Sequence, residues 1–92
     1  MSEEIIDNRA RKRYELTVDG HVAHVDYERA AGTITFIHTI VPDELGGRGI
    51  ASQLARHVLD EARRAGEKVI PQCPFIAAYI RKHSEYQDLV QA

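Results

Sequence analysis

The stretch of sequence that decides the fold reads Val41-Pro42-Asp43-Glu44-Leu45-Gly46-Gly47-Arg48-Gly49-Ile50-Ala51-Ser52-Gln53-Leu54. β-branched residues lead into it, a helical pattern follows it, and three of the chain's six glycines lie inside it. A strand, a glycine-rich turn and a helix start present several free backbone N–H groups at the positive end of a helix dipole, which favours a bound anion such as phosphate. The alternative is a turn that needs its glycines only for positive φ angles.

Toward the N-terminus, apolar and polar residues alternate with the period of two that is typical of strands. The pattern predicts an antiparallel meander of three strands, at about residues 13–18, 22–27 and 33–41. Asp19-Gly20 is a strong hairpin signal, and Ala31-Gly32 makes the next turn. The third strand consists almost entirely of β-formers, which favours a central position with both faces buried. Residues 1–8 are acidic and weakly patterned, and we expect them to be frayed.

Toward the C-terminus, apolar residues recur at spacings of three and four and predict a helix of about eighteen residues that ends at Gly66. A short fourth strand follows at Glu67–Cys73, and then a second helix at Pro74–His83. The residues of this helix expected to face the sheet are Phe75, Ile76, Tyr79 and Ile80. A strand–helix–strand connection is right-handed, so the fourth strand should run parallel to the third. The predicted fold class is α/β, or α+β, with a mixed sheet and the long helix against one face.

The composition predicts one small soluble domain over residues 1–92, with 43% hydrophobic residues, 28% charged residues and a net charge of −2. The acidic start argues against a signal peptide, and no apolar run approaches the roughly 20 residues of a membrane span. The single cysteine fits a reducing cytoplasm. Four cations lie in Arg9–Arg13, but the acidic remainder favours a solvated strand edge over a nucleic-acid arm.

The glycine-rich turn lacks the Lys-Ser/Thr ending of a P-loop and does not read G-x-G-x-x-G, which argues against nucleotide hydrolysis and dinucleotide binding. Glu44-Leu-Gly-Gly-Arg-Gly49 resembles instead the acyl-CoA pyrophosphate loop of the GNAT acetyltransferases, written Q/R-x-x-G-x-G/A. The last third of the chain, from Lys68 to Tyr86, resembles the short, single-domain branch of that superfamily. The two motifs agree with the predicted order of strands and helices. Glu44 departs from the pattern, because the family has glutamine or arginine there.

The resemblance implies an N-acetyltransferase that uses acetyl-CoA as cosubstrate and no metal. The third and fourth strands would splay apart, with the pantetheine arm against the third strand and the thioester in the gap near His38 and Cys73. The loop would hold the diphosphate by backbone N–H groups and not by the Glu44 side chain. Arg48 would either add a cation to the phosphates or be a solvated residue of the helix start. The expected cofactor-binding residues are Thr39, Ile40, Val41, Gly46, Gly47, Arg48, Gly49, Ile50 and Ala51.

Three residues are candidates for the chemistry. Cys73 precedes Pro74 and would cap the second helix, whose positive end favours a thiolate. It would form an acetyl-enzyme or lie beside the thioester during direct attack by the amine; the alternative is a small buried hydrophobe. His38 is the candidate base that takes a proton from the acceptor amine, or a core histidine bonded to backbone. Tyr79 is the candidate acid for the departing thiolate, or a core aromatic residue.

The acceptor is an amine of undefined identity, because a turn at Asp19-Gly20 replaces the helices that shape the acceptor pocket in longer GNAT proteins. A non-catalytic module that binds CoA or another protein is the alternative function, and a nucleic-acid accessory protein is a weaker one. His21 and His24 are spaced to lie on opposite faces of their strand, which argues against a metal site. His57 and His83 have no partner at ligand spacing either.

Overall fold

The chain forms a five-stranded mixed sheet, and the computed structural model describes residues 4–91. The strands are β1 (Ile5–Asn8), β2 (Arg13–Val18), β3 (His21–Ala30), β4 (Thr33–Ile40) and β5 (Lys68–Pro71). They lie in the order β1-β2-β3-β4-β5; the first four are antiparallel neighbours, and β5 runs parallel to β4. The predicted mixed sheet and the direction of its last strand are confirmed.

The first strand corrects the sequence-based prediction, which has residues 1–8 frayed. Ile5–Asn8 forms an antiparallel ladder with β2, from Ile5 opposite Leu16 to Asn8 opposite Arg13. Residues 1–3 lie outside the described part of the chain. Four residues are too few for an alternating pattern to stand out in the sequence, and the strand depends on its partner for its hydrogen bonds.

The Asp19-Gly20 turn has the geometry that its sequence predicts. Both residues have positive φ, +52° at Asp19 and +79° at Gly20, as a two-residue type I′ hairpin turn requires. The primed turn matches the right-handed twist of the strands, so β2 and β3 pair in register from Val18 opposite His21 onward.

Two α-helices and two 3₁₀ turns complete the fold within residues 4–91. Helix α1 spans Ile50–Ala65 and helix α2 spans Pro74–Lys82, with the 3₁₀ turns at Asp43–Leu45 and Ser84–Leu89. Gly66 ends α1 in the left-handed conformation, at φ +72°, and its N–H donates to carbonyl oxygens of the last turn. The sequence also predicts that this helix ends at Gly66. No helix within residues 4–91 is both long and apolar enough to cross a membrane.

The hydrophobic core lies on one face of the sheet, beneath both helices. The fully buried side chains include Leu16, Val25, Ile34, Phe36, Leu54, Val58, Val69 and Ile76. The strand residues that alternate with these point away from the helices and form what we call the open face; they include Arg13, Glu15, His24 and Asp26. No helix of residues 4–91 packs on the open face, because both helices contribute to the one core cluster.

Two predictions of burial are wrong. The third predicted strand, here β4, is central but not buried on both faces, since Ile40 is 48% exposed. The sequence pattern predicts that Phe75 faces the sheet, but its side chain is 37% exposed, whereas Ile76 and Ile80 are buried. Successive helical residues differ by about 100° in direction, so a helix that buries Ile76 and Ile80 turns Phe75 toward its flank.

A β-bulge in β4 decides which of its side chains face the helices. The β3–β4 register has Tyr27 opposite Phe36 but Asp26 opposite His38, so Ile37 is one extra residue on β4. Cross-strand partners share a face, and Val25 is a core residue, so its partner Thr39 points to the core. His38, the partner of Asp26, therefore points to the open face, where it is exposed.

Candidate active site

The candidate site begins where β4 and β5 separate. Their parallel ladder ends at Phe36 opposite Pro71, and the N–H of Cys73 then donates to the Phe36 carbonyl at 2.8 Å. Strand β4 continues to Ile40 with no further ladder to β5 in residues 4–91. The edge of β4 from His38 to Val41 therefore presents backbone groups that an extended ligand can bind like an added strand.

Cys73 lies at the base of this gap, on the helix side of the sheet. It caps the N-terminus of α2, is only 3% exposed, and makes no side-chain bond to the helix start. Its sulfur lies 3.3 Å from the Thr39 hydroxyl, and either atom can be the donor. The thiol is thus a buried, hydrogen-bonded group next to the gap.

The side chains of His38 and Cys73 lie on opposite sides of the sheet, a detail that the expectation of both residues near the thioester does not include. The bulge at Ile37 sends the His38 imidazole to the open face and brings Thr39 to Cys73 in its place. In a regular strand, His38 would point to the core face and Thr39 to the open face. The sequence alone therefore gives no sign that the two residues point to the opposite faces. The gap is consequently lined by a thiol–hydroxyl pair on one side of the sheet and by an imidazole on the other.

The glycine-rich loop presents free backbone donors. The N–H groups of residues 47–52 have no hydrogen-bond acceptor within residues 4–91, and no side chain caps α1. The Gly46 N–H is already engaged by the Asp43 carbonyl at 3.0 Å. Gly47 and Gly49 both have positive φ, +79° and +72°, which aims successive N–H groups outward. The first turn of α1 contains no acidic residue, so the positive end of the helix dipole is uncompensated.

The charged side chains of the loop contact the β2–β3 hairpin. Glu44 lies 3.9 Å from the His21 imidazole, measured between Oε1 and Nδ1. Arg48 is paired with Asp19, with 2.8 Å between Nη1 and Oδ2, and both side chains are about half exposed or more. The pairing holds the Arg48 guanidinium beside the loop, but an exposed ion pair of this kind is weak and exchangeable.

Tyr79 lies on α2 and is partly buried against the core. Its ring stacks on His83 at 3.9 Å between centroids, while His83 Nδ1 lies 2.9 Å from the Tyr79 carbonyl. The Tyr79 hydroxyl has no hydrogen-bond partner among the described residues. The ring therefore has a packing role.

Sequence reasoning missed a second polar cluster, on the open face of β3. His24 Nδ1 lies 2.9 Å from Asp26 Oδ1, and the two side chains are 17% and 33% exposed. The spacing of two residues on a strand was the available signal, since it puts both side chains on one face. Among residues 4–91, no group of three or more metal-ligating side chains has the arrangement of a metal site.

A cavity of about 450 Å³ lies elsewhere, between β1 and α1, and is lined by Glu4, Ile5, Gln53, Arg56, His57 and Asp60. The strand order puts β1 at the sheet edge opposite β5, so this cavity is remote from the β4–β5 gap. Neither the glycine-rich loop nor any of the candidate catalytic residues lines this cavity. The gap, with its free backbone donors and polar side chains, remains the better candidate for a site.

A solved structure and a protein-family model both match this chain. The chain is similar in structure to a GCN5-like protein from Staphylococcus aureus, solved in solution by NMR and proposed to be an N-acetyltransferase. The two share 29% sequence identity with a TM-score of 0.75, and the match covers 97% of this chain and 88% of the other. The model of the GCN5-related N-acetyltransferases matches residues 13–89, which include β2 to β5 and both helices. The chain belongs to the GCN5-related N-acetyltransferase family.

Proposed function

We propose that the protein transfers the acetyl group of acetyl-CoA to a primary amine. The observation that carries the proposal is the set of unpartnered N–H groups at residues 47–52, at the start of α1 and next to the open end of β4. A diphosphate satisfies several such donors at once, and the helix dipole favours its charge.

The cofactor-binding residues we propose follow the path from the loop to the gap. Gly47, Gly49, Ile50 and Ala51 would donate backbone N–H groups to the diphosphate, and Gly46 would shape the turn. Arg48 would add a cation by exchanging Asp19 for a phosphate. The backbone of Thr39, Ile40 and Val41 would hold the pantetheine arm as an additional strand. The thioester would then lie near Thr39 and Cys73.

The chemistry requires a neutral amine, whereas an alkyl amine is protonated at neutral pH. We propose that His38 takes this proton, directly or through a water molecule, since it is exposed on the open face beside the gap. The amine nitrogen then attacks the thioester carbonyl carbon, and the carbon–sulfur bond breaks. Tyr79 would give its hydroxyl proton to the leaving thiolate and regain the second proton that the nitrogen loses as the amide forms.

Cys73 would contribute to the surroundings of the thioester and not form an acetyl-enzyme. The burial of its sulfur and the contact with Thr39 both support this choice, because a nucleophile must reach the carbonyl carbon. The acceptor would approach over the open face. With no helix on that face among the described residues, the acceptor would be bound by a shallow surface, so a peptide or a polyamine would fit.

Calorimetry with acetyl-CoA, followed by a screen of primary amines with mass-spectrometric detection of acetylated product, tests the proposal. We expect binding of acetyl-CoA and transfer to at least one amine, with His38→Gln retaining binding and losing about a hundredfold in kcat. Absence of binding would refute the use of acetyl-CoA. Binding without transfer to any amine would favour a non-catalytic CoA-binding module. Cytoplasmic location is part of the proposal, and fractionation of cells that express a tagged chain tests it.

A further inference from the structure

The cavity of about 450 Å³ between β1 and α1 lies outside the site that we propose for acetyl-CoA. Its volume falls within the range of roughly 300–1,000 Å³ that is usual for ligand pockets. Ile5 of β1 forms one wall. The opposite wall is one face of α1, whose lining residues recur at spacings of three and four: Gln53, Arg56, His57 and Asp60. We call this cavity the β1 groove.

The polar side chains of the β1 groove have few partners in the protein. Within residues 4–91, neither Arg56, Asp60 nor Glu4 takes part in an ion pair. Asp60 accepts one hydrogen bond at Oδ1, from the Tyr86 hydroxyl at 2.6 Å. The groove therefore offers a guanidinium and a carboxylate, one helical turn apart on α1, to a bound partner.

Strand β1 is an edge of the sheet, and the direction of its backbone groups follows from the β2–β3 hairpin. The two-residue turn closes on Val18 and His21, which exchange both of their hydrogen bonds, and such pairs alternate along the ladder. At the far end of β2, the Lys12 carbonyl accepts from the Tyr27 N–H at 2.9 Å, which continues the alternation. The even-numbered residues of β2 therefore bond to β3, and its odd-numbered residues bond to β1.

Two residues of β1 consequently present backbone groups at the free edge. The odd-numbered residues of β2 lie opposite Ile6 and Asn8, which use their own backbone groups to bond to β2. The N–H and C=O groups of Ile5 and Asp7 therefore point away from the sheet. The Ile6 side chain lies on the open face of the same edge and is 59% exposed. This edge has no lysine, proline or β-bulge of the kind that hinders strand addition.

We propose that the edge of β1 and the β1 groove together bind an extended peptide segment of another protein as an added strand, antiparallel to β1. Backbone hydrogen bonds to Ile5 and Asp7 hold the segment, while its side chains point alternately into the groove and to the open face beside Ile6. The inference does not rest on the proposed acetyl transfer, because the groove lies at the sheet edge opposite the β4–β5 gap.

The charges of the groove define the chemistry of the segment. The loop before α1 contacts the β2–β3 turn, and Ile5 is nearer that turn than Asp7, so α1 and β1 run in the same direction. Arg56 therefore lies nearer Ile5, and Asp60 lies nearer Asp7. Four residues of a helix span about 6 Å, and residues two apart on a strand span about 6.7 Å. An antiparallel segment that reads base–apolar–acid thus places its base at Asp60, its apolar residue beside Ile6 and its acid at Arg56.

A second copy of β1 does not supply this pattern. Its residues that face the groove would be Ile5 and Asp7, neither of which brings a cation to Asp60. The Asp7 carboxylate is also engaged already, since it accepts from the Tyr27 hydroxyl and is paired with Arg9. Charge complementarity therefore favours a foreign segment over self-association.

The first test titrates the isotope-labelled protein with the acetylated and amidated peptide Thr-Val-Lys-Val-Glu-Val-Thr and follows the amide signals by NMR. At about 1 mM peptide, the signals of Ile5 and Asp7 should shift and their hydrogen exchange should slow about tenfold, because both N–H groups gain acceptors. N-methylation of the lysine and glutamate of the peptide should abolish these effects, whereas N-methylation of the central valine, whose N–H points away from β1, should not. Absence of a shift at Ile5 and Asp7 with the unmodified peptide would overturn the proposal.

The second test measures the Kd of the same peptide in two arginine variants. Arg56→Gln should raise the Kd about threefold, the size expected of one exposed ion pair. Arg64→Gln is the matched control, since Arg64 lies on the same helix but does not line the groove, and its Kd should equal that of the wild type. A peptide with lysine and glutamate exchanged should bind about tenfold more weakly, because both of its charges then meet like charges. Equal Kd values for the two peptides would refute the proposed segment.

Three other results would assign the groove to a different occupant and refute the proposal. Shifts of Ile5 and Asp7 on dilution of the protein without peptide, together with a dimer in sedimentation, would identify a second copy of the chain. Peptide binding that requires removal of residues 1–3 would identify the chain's own N-terminus. Shifts confined to residues 53–60 would identify a ligand that binds to side chains of α1 without adding a strand.

Discussion

The hydroxyl of Thr39 lies 3.3 Å from the sulfur of Cys73, and this contact joins two segments that share no ladder at that level. Thr39 reaches the thiol only because the bulge in β4 turns it to the core face. The contact closes the helix side of the gap with a polar pair, while the open face keeps an exposed imidazole. The two sides of the sheet thus have different chemistry; in the proposed function, the thioester would lie on the first side and the amine would approach from the second.

From this contact we predict that Cys73 is not an obligatory nucleophile. Cys73→Ala should lower kcat less than about tenfold and cost about 1 kcal/mol of stability, since it removes one buried sulfur atom. Incubation with acetyl-CoA and intact-mass analysis should give no acetyl adduct in the wild type. Thr39→Val is the matched control for the loss of the hydroxyl alone. A stable adduct in the wild type that disappears in Cys73→Ala would contradict the prediction.

The role of the loop as an anion site can be tested at Gly47 with a pair of variants that differ only in charge. Gly47 has φ +79°, and a Cβ there would meet no atom within 4 Å, so asparagine and aspartate can both occupy it. Gly47→Asp should bind acetyl-CoA at least about tenfold more weakly than Gly47→Asn, because the carboxylate repels the diphosphate, and salt should reduce the difference. Equal Kd values in calorimetry would exclude the loop as the phosphate site.

The exchange of Arg48 between Asp19 and a phosphate predicts opposite effects of two substitutions. Arg48→Gln should weaken acetyl-CoA binding by about tenfold, since a charge-assisted bond to phosphate is lost. Asp19→Asn should bind acetyl-CoA as well as the wild type or better, because it frees the guanidinium. Both variants should keep their Tm, since the exposed pair contributes little to stability. If Arg48→Gln binds within twofold of the wild type, Arg48 is only a residue of the helix start.

The raised pKa of Tyr86 predicts that the protein loses stability at alkaline pH. Burial and the hydrogen bond that its hydroxyl donates to Asp60 at 2.6 Å raise the pKa of Tyr86 from its ordinary 10.0 to about 12. The folded state therefore favours the neutral phenol, so its stabilisation is complete below about pH 10 and is lost as the pH rises to about 12. The loss should be at most about 3 kcal/mol, since each of the two pKa units corresponds to about 1.4 kcal/mol. In Tyr86→Phe, the urea midpoint of unfolding should fall less steeply with pH in this window than in the wild type. An equally steep fall would contradict the role given to Tyr86.

Most of the fold follows from local patterns in the sequence, and the exceptions have identifiable causes. The hairpin at Asp19-Gly20 and the end of α1 at Gly66 were predicted because glycine and aspartate at those positions dictate the backbone. Strand β1 was not, since its four residues acquire structure only by pairing with β2. The exposure of Phe75 depends on the angle at which α2 packs, which the spacing of apolar residues does not define.

The geometry of the candidate site follows less fully from the sequence than the fold does, for one physical reason. The loop and the positions of Cys73 and Tyr79 follow from motifs that are local in sequence. The face of the sheet to which His38 points depends on the register between β3 and β4. One extra residue at Ile37 moves the side chain to the opposite face. The same register puts His38 opposite Asp26 on the open face, an arrangement that has no signal in the sequence of β4.

The bulge leads to a prediction about deletion of Ile37: the variant should still fold but should bind acetyl-CoA more weakly. Deletion of Ile37 leaves every other cross-strand pair of β3 and β4 in place, since His38 would follow Phe36 directly and remain opposite Asp26. The deletion therefore keeps each side chain on its present face, and we expect a folded protein with a Tm within a few degrees of the wild type. The strand, however, loses the bend that a bulge imposes.

Without that bend, β4 should continue parallel to β5 beyond Phe36 and pair with the segment at Cys73, which closes the gap. Calorimetry should then show acetyl-CoA binding weakened at least about tenfold, because the edge that would hold the pantetheine arm is occupied by protein. Ile37→Val keeps the bulge and is the matched control, with binding expected to equal that of the wild type. Wild-type affinity in the deletion variant would mean that the gap does not depend on the bulge. A variant that fails to fold would mean that β4 depends on the extra residue for its pairing, contrary to the register.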